Sequence, residues 1–115
     1  MKLPNPERAI VDINKLRNYC LNPNHRDGQH KARVFASVLE MIADDAEELR
    51  DALLVAAQTN DAIPIEQDEY GQRYRLDFVM SRPAGQATIR SGWIVRQKED
   101  FPRLTSCYVL KQTGV

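Results

Sequence analysis

The chain has 115 residues, 43% of them hydrophobic, with 16 Lys/Arg against 16 Asp/Glu: enough for one domain with its own core, and no net charge to drive binding to a polyanion. No apolar run reaches the roughly 20 residues of a membrane helix, and Met1-Lys2-Leu3-Pro4-Asn5-Pro6 leads into charge rather than into a signal-peptide stretch. These features predict a cytoplasmic protein without a membrane segment, in which Cys20 and Cys107, far apart and among apolar residues, stay reduced and buried.

The neutral total hides three blocks. Residues 1–35 carry seven Lys/Arg and three acids, residues 36–70 one and ten, and residues 71–115 eight and three. An acidic middle is the pattern of a solvated helix face or of a docking surface for a basic partner. If the basic ends meet in space, they form a positive face suited to an anion such as RNA.

In chain order, Ile10-Val11 reads as a short strand or an apolar lead-in. Asp12 then caps a helix whose face is Ile13, Leu16, Tyr19 and Cys20. Residues 22–29, Asn-Pro-Asn-His-Arg-Asp-Gly-Gln, are turn chemistry throughout. A second helix is predicted from about His30 to Met41 on the stripe Val34, Phe35, Val38, Leu39. A third, capped by Asp44 or Asp45, runs to about Gln58. From Ala62 the period becomes two. An edge strand containing Ile63, Pro64 and Ile65 is followed by strands in which Tyr74, Leu76, Phe78 and Met80, and then Ala87, Ile89, Ser91, Trp93 and Val95, share faces. Arg82-Pro83-Ala84-Gly85 turns the chain between these two, and a last strand runs from Arg103 to Leu110. Helices followed by strands with short links define an α+β domain over residues 1–115, about three N-terminal helices packed on an antiparallel sheet of about four strands.

No phosphate-binding Gly-rich loop, dinucleotide fingerprint, nucleophile elbow or zinc-protease motif is present, and no cofactor or metal is expected. Chemistry therefore concentrates at two places. One is the helix start His30-Lys31, where backbone N–H groups, cations and an imidazole able to accept a proton come together in a natural phosphate site. The other is the sheet, where Arg90 and Arg96 lie beside Arg103, Thr105, Ser106 and Tyr108. Strict alternation puts Arg103, Thr105 and Cys107 on one face and Leu104, Ser106, Tyr108 and Leu110 on the other, so they share a site only if the strand bulges. Trp93 is expected in the core, a base-stacking platform being the alternative.

The patterns Lys15-Leu16-x-x-Tyr19-x-Leu21-Asn22-Pro23, Gly28-x-His30-Lys31-Ala32-x-x-Phe35, Arg90-Ser91-Gly92-Trp93 and Pro102-Arg103-Leu104-Thr105-Ser106-Cys107-Tyr108 resemble those of a small bacterial family of unknown function. Its members look like free-standing proteins or terminal domains associated with small partner proteins. The second half also resembles the barnase, EndoU and colicin-type ribonuclease toxins, in which helices precede a four-stranded antiparallel sheet. That resemblance implies metal-independent RNA cleavage through the 2′-hydroxyl, with His30 as base, Lys31 and Arg90 on the phosphate, and Thr105 and Tyr108 positioning it. The chain departs from such enzymes in offering no second well-placed histidine as general acid, which leaves Lys31, Tyr108 or an inward-folded His25 for that role. The competing expectation is a non-catalytic antitoxin- or immunity-like module that binds a small cognate protein through Asp44–Asp51 or Asp61–Glu69. A homodimer joined through the edge of the final strand is a third.

Overall fold

The computed structural model describes residues 1–110. A 3-10 turn (Pro6–Arg8) precedes α1 (Ile13–Lys15), α2 (Gln29–Leu39) and α3 (Ala46–Thr59). These are followed by β1 (Ile63–Asp68), β2 (Gly71–Arg82), β3 (Gly85–Arg96) and β4 (Arg103–Val109). The strands form one antiparallel sheet in the order β1-β2-β3-β4, an α+β meander with the helices on one face.

Asp12 caps α1 as its side chain predicts, accepting from the Asn14 N–H at 2.9 Å. The helix does not continue regularly to Cys20. It widens into a π-helical turn over Leu16–Cys20, closed by the Leu21 N–H on the Leu16 carbonyl at 2.8 Å. Leu16, Cys20 and Leu21 are all buried. In α2 the buried residues are Ala32, Phe35 and Leu39, and Val34 and Val38 pack at the margin. In α3 the buried stripe is Ala46, Leu49, Leu53, Ala56 and Ala57. A 3-10 turn over Ala43–Asp45 starts α3, and the Asp45 carboxylate accepts the Ile42 N–H at 2.9 Å.

The two-residue turn Pro83-Ala84 sets the β2–β3 register, pairing Arg82 with Gly85, Asp77 with Arg90 and Tyr74 with Trp93. Tyr74, Leu76, Phe78 and Met80 face the helices together with Ala87, Ile89, Ser91 and Trp93. Ser91 is the one buried polar residue among those described. Its hydroxyl donates to the Leu76 carbonyl at 2.6 Å and accepts the Trp93 indole N–H at 2.9 Å. Ser91→Ala should therefore orphan a buried indole donor and cost about 1–3 kcal/mol, read as a lowered urea midpoint with unchanged m-value.

The expected face assignment in β4 needs correction. The ladder slips between Gly92 and Trp93, so that Trp93 pairs with Leu104 but Gly92 pairs with Ser106, which leaves Thr105 as the extra residue of a bulge. Cys107, opposite Ser91, is thereby turned into the core and away from Thr105. Leu104 is buried too, whereas Ser106 and Tyr108 face outward.

The expected strand at Ile10-Val11 reduces to a single parallel bridge from Ile10 to Arg103. Ile10 N–H donates to the Pro102 carbonyl and Leu104 N–H to that of Ile10. This strap covers the outer edge of β4 where it begins, removing part of the edge a homodimer through the final strand would use. At the other side of the sheet β1 is an exposed edge strand carrying Pro64. Among the described residues no helix is long and apolar enough to cross a membrane, and no group of His, Cys, Asp or Glu is placed to hold a metal.

Candidate functional site

The first turn of α2 lies against β4, and between them opens a cavity of about 550 Å³ lined by His30, Lys31 and Tyr108 with Arg33, Val34, Val109 and Leu110. Lys31 Nζ sits 5.3 Å from the ring centroids of both Tyr19 and Tyr108, a cation held between two aromatic faces, and donates a long hydrogen bond (3.4 Å) to the Tyr19 hydroxyl. His30 is exposed, and among the described residues no hydrogen bond fixes its imidazole.

Arg90 pairs directly with Tyr108 across β3 and β4. Its guanidinium donates twice to the Asp77 carboxylate, Nε and Nη2 each at 3.0 Å, and this partner raises its pKa above the usual arginine value. The fork leaves the remaining N–H groups of Arg90 for another acceptor. Thr105 does not line the cavity. A Cβ at Gly92 would stand 2.8 Å from its Oγ1, so the bare glycine is what lets the bulged Thr105 lean over the outer face of the sheet.

The structure thus brings His30, Lys31 and Tyr108 to one cavity, sets Arg90 beside it and places Thr105 farther along the same outer face. One residue of each basic block flanks Tyr108 here, Lys31 of the first and Arg90 of the last. The same face carries Arg73, Arg75 and Arg103, with Arg73 and Arg103 tied to Asp68 and Glu99 at 2.9 and 3.0 Å. Arg103 holds the Glu99 carboxyl below its usual range, and Arg73 does the same for Asp68.

The helix start is less open to an anion than its composition suggests. His25 Nδ1 accepts the N–H groups of both Asp27 and Gly28 at 3.0 Å, and the His25 carbonyl takes that of Gln29. Its ring meets Tyr19 edge-to-face at 4.8 Å. His25 is thus the loop's internal cap, and its Nδ1 is already occupied. Among the described residues the N–H groups of His30 and Lys31 remain without acceptors.

Asp77 and Tyr19 were missed as site residues by sequence reading. Asp77 was within reach, because a two-residue turn at Pro83-Ala84 places it opposite Arg90 by counting back along both strands. Nothing in the sequence near Tyr19 signals that it will brace Lys31.

Cys20 and Cys107 are free, buried and in contact across the seam between the π-helical turn and β4. The hydrogen bond from Cys107 lowers the Cys20 thiol to about 7 against the effect of burial, while the same bond and burial raise Cys107. The acidic middle is partly spent within the chain. Asp45 and Glu48 clamp Arg82, and Asp61 holds Lys2 and the N-terminal amine.

A helical layer on one face of a four-stranded antiparallel meander, with a cationic and aromatic cavity at the α2–β4 seam, defines a small α+β domain whose outer sheet face carries Arg73, Arg75, Arg90 and Arg103. The chain belongs to the DUF6883 family, described as a domain of unknown function, whose model matches residues 2–111. No curated protein matches it. Among solved structures it is similar to a chain of the contact-dependent growth inhibition toxin–immunity protein complex from Klebsiella pneumoniae 342. The TM-score is 0.64 at 16% identity, covering 88% of this chain and 99% of that one, and this likeness shows a shared fold.

Proposed function

We propose that the chain is a toxin-like, metal-independent ribonuclease acting at the α2–β4 cavity. The observation that carries this reading is the convergence of His30, Lys31 and Tyr108 on one cavity, with Arg90 directly across from Tyr108. His30 accepts the proton of a ribose 2′-hydroxyl, and the 2′-oxygen attacks the adjacent phosphorus. Lys31 and Arg90 hold the non-bridging oxygens, and Thr105 and Tyr108 set the strand's position. The departing 5′-oxygen takes its proton from Lys31 or Tyr108, because His25 is committed to the loop through Nδ1. A similar fold occurs in a toxin–immunity protein complex, which is compatible with a toxin-like role and equally with an immunity-like one.

The test is digestion of total RNA in EDTA by purified wild type and by His30→Ala, with melting curves for both. The expected result is cleavage by wild type and a loss of about 10²–10⁴-fold in the variant at unchanged melting temperature. Equal cleavage by both would remove His30 from the mechanism, and no cleavage by wild type at high protein concentration would end the ribonuclease reading.

A protein-binding role of the antitoxin or immunity kind is the second reading. It is favoured by the solvent exposure of Glu47 and Asp51, which lie on the acidic segment beyond the carboxylates that Arg82 consumes.

A further inference from the structure

β2 is longer than its neighbour on one side. β1 begins at Ile63 opposite Arg75, so from Leu76 to Arg82 that edge of β2 has no strand beside it among the described residues. Backbone groups alternate in direction along a strand. The Leu76 carbonyl points toward β3, where it accepts the Ser91 hydroxyl, so Asp77, Val79 and Ser81 point the other way. Asn60 Nδ2 donates to the Asp77 carbonyl at 3.3 Å, a side chain standing where a strand's N–H would be. Among the described residues nothing meets the N–H and C=O of Val79 and Ser81.

Beneath this edge runs a groove of about 610 Å³ whose walls include Ala52, Val55 and Ala56 of α3 and Phe78 and Val79 of β2. Val55 and Val79, its two rims, are 61% and 58% exposed, large apolar side chains that neither layer covers. Asp51, 70% exposed and touched by its neighbour Arg50 at 3.4 Å, opens onto the same groove, and the exposed Glu47 stands one turn before it on α3. Residues 36–70, which supply the α3 wall, carry one Arg against ten acids.

We infer that the open edge of β2 from Asp77 to Ser81, with the groove under it, is a docking site for an extended strand of a basic partner protein. Only another extended backbone matches main-chain groups presented at every second residue, about 6.6–6.8 Å apart. Such a strand sends alternate side chains to opposite faces. One set fills the groove against Ala52, Val55 and Phe78, and the other passes over Val79 on the outer face. The carboxylates of Asp51 and Glu47 select Lys or Arg in the partner and exclude an acidic strand. The site stands whether or not the chain cuts RNA, since none of its side chains lies in the α2–β4 cavity.

The probe is a capped peptide, Lys-Val-Lys-Val-Thr-Val-Lys, titrated into the full ¹⁵N-labelled chain. The amide resonances of Val79 and Ser81 are expected to shift and their hydrogen exchange to slow at least tenfold. The same peptide with Glu in place of Lys, or N-methylated at alternate residues, should bind at least tenfold more weakly. Val55→Lys, a change at an exposed helical position, should weaken the basic peptide by at least tenfold with an unchanged melting curve. Amides of Val79 and Ser81 that stay unaffected, or equal binding of the acidic peptide, would overturn the proposal. So would sedimentation showing a concentration-dependent dimer that protects the same two amides, because the occupant would then be a second copy of the chain.

Discussion

Trp93→Ala should remove about 3–5 kcal/mol of stability, a large share of the roughly 5–15 kcal/mol that holds a domain of this size together. Trp93 is 1% exposed, lies between Tyr74 on β2 and Leu104 on β4, and donates its indole N–H to the buried Ser91 hydroxyl. Its removal costs both the transfer energy of the ring and the cavity left behind, at the point where three strands meet under the helices. Trp93→Phe keeps most of the volume and loses the donor. Because Ser91 still bonds the Leu76 carbonyl, the expected cost falls to roughly 1–2 kcal/mol. Urea denaturation of the two variants measures the difference. An Ala variant as stable as wild type would mean that the ring packs on nothing, as a base-stacking platform would, and the core position described above would be wrong.

The second large effect rests on the proposed ribonuclease reading and is expected in turnover rather than stability. Asp77→Ala removes both acceptors from the Arg90 guanidinium, but the pair is about a third exposed on each side, so solvent screening limits the stability change to about 1 kcal/mol or less. Arg90 then loses its fixed fork, and a misplacement of about 1 Å at a phosphate-holding group is enough to cost on the order of 10²-fold in rate. The sign on binding is opposite. Deleting an anion beside the phosphate path lets RNA bind as well as or better than before, so KM should hold or fall while kcat drops. Asp77→Asn retains one acceptor and should recover part of kcat. Equal kcat in all three proteins would take Arg90 out of the machinery, and a rise in KM with constant kcat would make Asp77 part of substrate binding instead.

The parts of the fold written in local chemistry were readable in advance. Alternation from Tyr74 to Met80 and from Ala87 to Trp93, with Pro83-Ala84 between them, encodes the central hairpin, its buried face and the place of Trp93 in the core. The apolar face of α2 was legible in part, since Phe35 and Leu39 are buried while Val34 and Val38 stay at the margin, and neither α2 nor α3 begins on a side-chain cap. Two of the misses depend on partners distant in sequence, whereas that of His25 is local. Leu104-Thr105-Ser106-Cys107 carries no glycine of its own to announce a bulge. The glycine that permits it is Gly92, on the neighbouring strand. The π-helical turn depends on how Leu16, Cys20 and Leu21 reach a shared core. His25 reads as one more polar loop residue until the Asp27 and Gly28 amides are seen folding back onto its ring. His30, Lys31, Arg90, Thr105 and Tyr108 were chosen for their chemistry. Their positions were not legible, because the seam joining three of them, His30, Lys31 and Tyr108, is made by α2 packing against β4.

The N-terminal strap has a consequence for the order in which the chain becomes ordered. Asn5 and Arg8 reach Asp100 across 95 and 92 residues of sequence, Ile10 bridges Arg103, and the Met1 carbonyl accepts the Ala62 N–H. None of these bonds has a partner until β4 has joined the sheet and α3 has been placed, whereas the β2–β3 hairpin closes through a two-residue turn. Residues 1–10 are therefore the last to settle. In the native protein the Ile10 and Ala62 amides should exchange with solvent through local detachment of the strap, while those at the centre of β2 and β3 exchange only when the whole domain opens.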